Sequence, residues 1–157
     1  MKRRSLIWLL LPVLWLAACS PIVNVTVHDE DAAALIASNF LHTAFYQHKP
    51  GDAYDITHPL FKTGVSRADF AAAIQKVQSS NSPTNLVITD FSTWGTQETL
   101  GIYGNSQTSA GVVLHFRCLL TGTKTKGYAV TRLDFNTTLP KKTGMNVPFK
   151  IPIRLSQ

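Results

Sequence analysis

A change of apolar spacing near residue 85 constrains the fold of this chain most strongly. Before that point apolar residues recur every three or four positions, as at Ala33, Ala37 and Phe40, and after it they alternate with polar residues. The first spacing is typical of helices and the second of half-buried strands. Helices followed by a run of strands indicate an α+β protein, with N-terminal helices packed on one face of a curved, mainly antiparallel sheet of four or five strands.

The helical half predicts three helices. The first covers about residues 31–48, with Asp29 or Asp31 as its cap, and Pro50-Gly51 ends it. A short helix opens at Asp52 and stops before Pro59, because a residue that precedes proline avoids the helical region. The third covers about 67–79 and is capped by Ser66.

The alternating half predicts five strands, which cover about residues 85–94, 99–103, 112–121, 128–137 and 147–155. Gly104 is expected to end the second strand. The polar segment from Gly122 to Gly127 predicts a hairpin between the third and fourth. Pro148 and Pro152 predict that the last strand lies at a sheet edge, since proline cannot donate to a neighbouring strand.

The N-terminus has the features of an export leader. Lys2, Arg3 and Arg4 precede an uncharged run from Leu6 to Ala18, which is shorter than the roughly 20 residues of a membrane span. The run closes with Leu16-Ala17-Ala18-Cys19, which resembles the lipobox of bacterial lipoproteins. An ordinary signal peptide with a chance cysteine is the alternative.

The lipoprotein resemblance implies an anchor and an address. Residues 1–18 would be the signal peptide, Cys19 would carry the covalent lipid, residues 19–29 would form a tether, and 30–157 a single α+β domain. Ile22, Val23 and Val25 leave open that part of the tether pairs as an edge strand. In the family Ser20, rather than Asp, favours the outer membrane, so the domain is expected on the periplasmic face.

Charge is distributed unevenly after the leader is removed. The remaining chain has twelve basic and nine acidic residues, and all but one of the acids lie before residue 100. The basic C-terminal half suits anionic headgroups, an acidic protein or an anionic envelope polymer. A solvated sheet surface is the simpler explanation. No recognition motif points to nucleic acid.

Cys118 is the only thiol left once Cys19 carries lipid, so no intramolecular disulfide is expected, and a buried, small apolar role is predicted. No spacing typical of a metal site, a nucleophile motif or a phosphate loop is present. We therefore predict no metal, and no cofactor besides the lipid on Cys19.

Three consecutive segments carry a second resemblance: Gly51-Asp52-Ala53-Tyr54-Asp55, Pro59-Leu60-Phe61-Lys62 and Ser66-Arg67-Ala68-Asp69-Phe70. With the strands behind them, they are similar to the nuclear transport factor 2-like superfamily, and a cystatin-like fold is the close alternative. The resemblance implies a curved sheet wrapped over helices around a conical pocket. Enzymes of that superfamily place Asp, His or Tyr in the cone.

Candidates of those types in this chain are His42, His48, Tyr54, Asp55, His58, Asp90, His115 and Asp134. No pair has a spacing that requires the two groups to converge, as acid–base catalysis needs. His42 and His48, six residues apart, are expected far apart around a helix. We therefore predict no catalytic residues and no enzyme.

Two functions remain. The first is a membrane-anchored protein-binding or scaffold module of the envelope, whose contact surface contains His115, Arg117, Lys124, Lys126 and Arg132. The second is a pocket protein that binds, or acts weakly on, a small ligand. Its cavity would be walled by Phe40, Phe45, Phe70 and Trp94, with Trp94 at the mouth.

Overall fold

The computed structural model describes residues 26–94, 97–142 and 144–155. The predicted signal peptide, Cys19 and most of the tether lie outside these residues. The helices are α1 (Glu30–Leu41), continued by a π-helical turn (His42–Tyr46), α2 (Pro50–Asp55), α3 (Pro59–Gly64) and α4 (Arg67–Asn81). Across the described ranges, no helix has the length and apolarity needed to cross a bilayer.

The strands are β1 (Pro83–Thr93), β2 (Thr99–Thr108), β3 (Val113–Thr123), β4 (Gly127–Asn136) and β5 (Met145–Arg154). They form one curved, open antiparallel sheet in the order β4-β3-β2-β1-β5. The predicted α+β class, with helices before strands, is therefore confirmed. The edge position of the proline-containing strand β5 is confirmed as well.

Side-chain caps explain where two of the helices begin. Asp29 accepts a hydrogen bond from the amide of Ala32 at 3.0 Å, and Ser66 accepts one from the amide of Asp69 at 3.1 Å. These oxygens satisfy amides that have no partner inside the helix. Both caps agree with the sequence prediction.

Prolines begin two other helices rather than ending them. Pro50 opens α2, and Pro59 opens α3, a helix that the sequence analysis did not predict. Proline suits a first helical position because its missing N–H would have had no helical partner there. The predicted start of α2 at an Asp52 cap was wrong for this reason.

The core lies between the helices and one face of the sheet. Its largest fully buried side chains include Phe40 from α1, Leu86 from β1, Ile102 from β2 and Phe116 from β3. Cys118 is also fully buried there, as predicted, and burial raises the pKa of its thiol far above the ordinary value. This face of the sheet is called the helix face, and the other is called the back face.

Gly104 lies inside β2 and does not end it. A Cβ at this position would come within 2.1 Å of the Val87 carbonyl oxygen and 2.4 Å of the Phe116 ring. The glycine therefore lets Phe116 and β1 approach the strand closely. The sequence prediction read Gly104 as a breaker, but packing explains it.

Candidate functional site

Arg117 and Arg132 both lie on the back face, where they bind the same carboxylate. Arg117 donates from Nε and Nη2 to Oδ2 of Asp134 at 3.1 and 2.7 Å, and Arg132 donates from Nε to Oδ1 at 2.8 Å. Antiparallel pairing places Arg117 directly opposite Asp134, which explains the contact. Two predicted contact residues are thus brought together, but around an internal partner.

The pKa of Asp134 reflects this arrangement. Partial burial raises the pKa of the carboxyl, but hydrogen bonds and positive charge from Arg117 and Arg132 outweigh burial, so the pKa is lowered. Asp134 therefore stays ionised and neutralises part of the cationic surface that the sequence predicted.

The connection between β4 and β5 crosses the back face, because these strands lie at opposite edges of the sheet. We call residues 137–142 the strap. Lys142 of the strap binds Asp90 of β1, with 2.9 Å between Nζ and Oδ2, and its Nζ lies 5.9 Å from the ring centre of Tyr103. Lys142 therefore contributes to the burial of Tyr103, which faces away from the helices.

Asp90 is the second carboxylate of the back face. Partial burial raises its pKa, but hydrogen bonds from Lys142, Thr89 and Asn146 and the charge of Lys142 lower it further than burial raises it. The net result is a lowered pKa. The strap is therefore attached to the sheet by an ionised pair of which little is exposed.

Lys124 and Lys126 lie apart from the two arginines. They belong to the turn between β3 and β4, where Lys124 binds Asp29 at 3.7 Å and Lys126 binds Glu98 at 2.5 Å. The amide of Lys124 also donates to the carbonyl of Val27. The predicted binding residues are therefore split between the middle of the back face and the end of the domain nearest the tether.

His115 shares the back face with Arg117, as the alternation predicted, and lies opposite Asn105 of β2. Trp94 lies at the end of β1, where its ring would come within 3.2 Å of a Cβ added to Gly101 or Gly144. Trp94 therefore packs on the back face, near the start of β5.

The predicted cavity does not have its predicted walls. Phe40, Phe45 and Phe70 belong to the buried core, with the Phe40 and Phe70 rings 6.0 Å apart, whereas Trp94 is on the other side of the sheet. A different hollow of about 400 Å³, the aromatic groove, opens between α4 and β4. Its walls include Phe45, Phe61, Phe70, Leu133 and Phe135.

Two histidines that the sequence predicted to be far apart line the same hollow. His42 and His48 line one hollow of about 300 Å³, together with Tyr46. The π-helical turn and the left-handed backbone of His48, with φ of 55°, bend the chain back at this point. Gln78 stabilises the turn because its Nε2 donates to the Ala44 carbonyl at 3.2 Å and lies 2.9 Å from Nδ1 of His48.

Most other acid–base candidates have structural partners. Asp55 binds Arg67 at 2.8 Å, and Nδ1 of His58 accepts from the amide of Leu60 as the cap of α3. Tyr54 donates to the carbonyl of Val65 at 2.8 Å. Within the described ranges, no three His, Cys, Asp or Glu side chains are close enough to hold a metal ion.

A surface that the sequence analysis missed lies between α1 and β5. This edge groove, of about 420 Å³, is lined by Glu30, Asp31, Phe91, Phe149, Lys150 and Ile151, among others. Phe91 and Phe149 form its floor, with ring centres 5.4 Å apart, and Ile151 is 80 % exposed. Alternation along β5 predicted that Ile151 is buried, but the pairing of β5 with β1 shifts register between Pro148 and Ile153, and Ile151 lies in this irregular stretch.

Comparison with known proteins gave no family model, no curated protein and no solved structure that matches this chain.

Proposed function

We propose that this protein is a lipid-anchored, non-catalytic protein-binding module on the periplasmic face of the outer membrane. Cys19, at the end of the export leader, supplies the anchor in this proposal. The observation that carries the binding role is the edge groove, where large apolar side chains remain uncovered. Exposed apolar patches rimmed by polar groups are typical of protein interaction sites.

The groove favours one kind of partner. Glu30 and Asp31 stand on its rim, and neither forms an ion pair within the described ranges, while Lys150 is the one cation among its lining residues. The floor is apolar. A protein segment that combines apolar side chains with Lys or Arg complements both features.

The edge strand adds backbone groups to this surface. Ile88 pairs with Ile153 and Asp90 with Pro148, so residues 149–152 have no ladder partner on β1. Free backbone donors and acceptors at a sheet edge can pair with an added strand. Pro148 and Pro152 limit such pairing to the short stretch between them.

The groups with displaced pKa values support a non-catalytic role. Asp90 and Asp134 sit in ion pairs, Cys118 is enclosed by the core, and Tyr128 accepts the Asp29 amide at 2.6 Å. Burial raises the pKa of Tyr128, and the charges of Asp29 and Glu30 add to this. These four displaced pKa values have structural causes, and the groups do not face one shared cavity.

A photocrosslinking amino acid at Ile151 tests the binding role in intact cells. We expect one dominant crosslinked protein at Ile151 and none at Leu60, an equally apolar control that is 68 % exposed on α3. Charge reversal by Glu30→Lys and Asp31→Lys should abolish the crosslink. Identical products from Ile151 and Leu60 would reject the edge groove as a specific surface.

The anchor has its own test. Cys19→Ala should move the protein from the membrane fraction to the soluble periplasmic fraction, and labelled palmitate should disappear from it. Each buried CH₂ of an acyl chain contributes about 0.8 kcal/mol to membrane binding, so the change in partition should be nearly complete. Membrane binding that persists without lipid would contradict this anchor.

The aromatic groove favours a second function, binding of a small apolar or anionic ligand. It combines an apolar lining with the ion pair of Arg132 and Asp134 at one side. A fluorescent anionic naphthalene sulfonate should bind there, and Ala73→Leu on the exposed wall should reduce its fluorescence without changing Tm. Equal fluorescence in both proteins would remove this alternative.

A further inference from the structure

A polar groove lies on the back face, at the end of the sheet opposite the tether. Its volume is about 510 Å³, and its lining includes Asn85, Val87, Asn105, Gln107, Pro152 and Arg154. None of these residues belongs to the edge groove or the aromatic groove.

Strand register arranges the polar side chains in a row. Asn136, His115, Asn105, Val87 and Arg154 are successive partners across β4, β3, β2, β1 and β5. Directly paired residues point to the same face. With strands about 4.8 Å apart, the row is about 19 Å long, the length of a short extended ligand.

A bulge adds Asn85 to this row. Thr84 pairs with Gln107 and Val87 with Asn105, so two residues of β1 stand opposite one residue of β2. Asn85 occupies the bulge with a left-handed φ of 54°. Bulges redirect side chains, and here the amide of Asn85 joins the lining of the groove.

Polar side chains in the groove have donors and acceptors without protein partners among the described residues, whereas the charged side chains elsewhere on the back face are paired. Arg117, Arg132 and Lys142 bind carboxylates, as described above. In contrast, four side chains that line the groove form no hydrogen bond with any described part of the chain: Asn85, Asn105, Gln107 and Arg154. The same holds for His115, which lies beside the groove as the strand partner of Asn105. Asn105 and His115 are half-buried, so their solvation by bulk water is restricted.

The chemistry of these side chains defines a ligand. Side-chain amides both donate and accept, which suits hydroxyl and amide groups. Arg154, at the β5 end of the row, suits a carboxylate. Val87 and Pro152 offer small apolar surfaces. We propose that the polar groove binds an extended glycan that carries N-acetyl amides and carboxylates.

The position of the groove agrees with such a polymer. His28 contacts the carbonyl of Gln97 at 3.1 Å, so the tether enters beside the loop that precedes β2. Asn105 lies five positions after Leu100, which is near that loop, and this corresponds to about 17 Å along the strand. The groove therefore lies at the end of the sheet opposite the point where the tether reaches the domain.

The test uses the full lipidated protein in detergent micelles, with N-acetylglucosamine oligomers and soluble, carboxylate-bearing N-acetylated glycan fragments as probes. We expect both probes to bind and the carboxylated one to bind about tenfold more tightly. Asn105→Ala with Gln107→Ala should weaken both at least tenfold. Arg154→Gln should remove the preference for the carboxylated probe.

Gln75→Ala, at an exposed position on α4, is the matched control and should bind like the unmodified protein. Unchanged Tm in every variant would show that the fold is intact. The proposal is overturned if neither probe binds, or if the Asn105/Gln107 variant binds as well as the control. Glu30→Lys should leave glycan binding unchanged, so the outcomes for the two grooves can be separated.

Discussion

The two faces of the sheet are built on different principles. On the helix face, Phe40, Ile102 and Phe116 are excluded from water and contact other apolar side chains. On the back face, the half-buried contacts are ion pairs, such as those between Asp90 and Lys142 and between Arg117 and Asp134. Apolar packing thus stabilises the helix face, whereas specific charged contacts stabilise the back face.

This difference separates residues that maintain the fold from residues that are free to bind. The arginines expected to form a contact surface hold Asp134, while the polar groove retains unused donors and acceptors on the same face. A count of charges alone would select the arginines as the first candidates for binding residues. Because the arginines already bind Asp134, the side chains of the polar groove are the better candidates for binding.

The largest loss of stability should come from adding a side chain where the core on the helix face has no room for one. Gly104→Ala places a methyl group against the Val87 carbonyl and the Phe116 ring, and we expect a loss of about 3 kcal/mol in the free energy of unfolding. Urea denaturation measures it. Gly64→Ala is the control, because a Cβ there meets nothing within 4 Å, and equal destabilisation by both changes would contradict the close-approach explanation.

The back face should respond less strongly. Arg117→Met removes two hydrogen bonds to Asp134 from a pair whose side chains are 24 % and 30 % exposed, and we expect a loss of about 1.5 kcal/mol. The more exposed Arg132→Met should cost about 0.5 kcal/mol. A larger effect at Arg132 would show that this face is not organised around Arg117.

Acid should distinguish the faces as well. Folding lowers the pKa of Asp90. The stability that ionised Asp90 contributes is therefore complete above its pKa in the unfolded chain, about 3.9, and is lost as the pH falls through its pKa in the folded chain. Asp90→Asn should therefore make the free energy of unfolding less dependent on pH below about 4. Denaturation at a series of pH values measures this, and an unchanged slope would contradict it.

The smallest effect is expected at the turn between β3 and β4. Lys126→Ala breaks an ion pair with Glu98 whose side chains are 67 % and 45 % exposed. Exposed pairs contribute little, so we expect a change of less than about 0.5 kcal/mol in the free energy of unfolding. Thermal denaturation at low and high salt measures it. A loss above 1 kcal/mol would contradict this prediction, because the turn would then contribute about as much stability as the ion pair of Arg117 and Asp134.

The sequence predicted those parts of the fold that depend on local pattern. Alternation from Val112 to Leu120 identified β3, and the capping residues Asp29 and Ser66 located two helix starts. Gly104 was misread because a glycine that ends a strand and one that admits a neighbouring ring look the same in sequence. The missing information is the register between strands.

The candidate site was less predictable for the same reason. The common side of His115 and Arg117 follows from their spacing, but the contact of Arg117 with Asp134 requires the pairing of β3 with β4. The shared hollow of His42 and His48 depends on a π-helical turn and one left-handed residue. The polar groove combines residues from strands that are distant along the chain.

The route of the strap also has a consequence for how the chain folds. Val87 of β1 pairs with Arg154 of β5, so 67 positions separate two neighbours in the sheet. Such distant partners meet late, after the loops between them have closed. Until Met145 and the residues after it are synthesised, the edge of β1 that later pairs with β5 can pair with strands of other protein chains. The chain is most vulnerable to misassembly just before its last strand arrives.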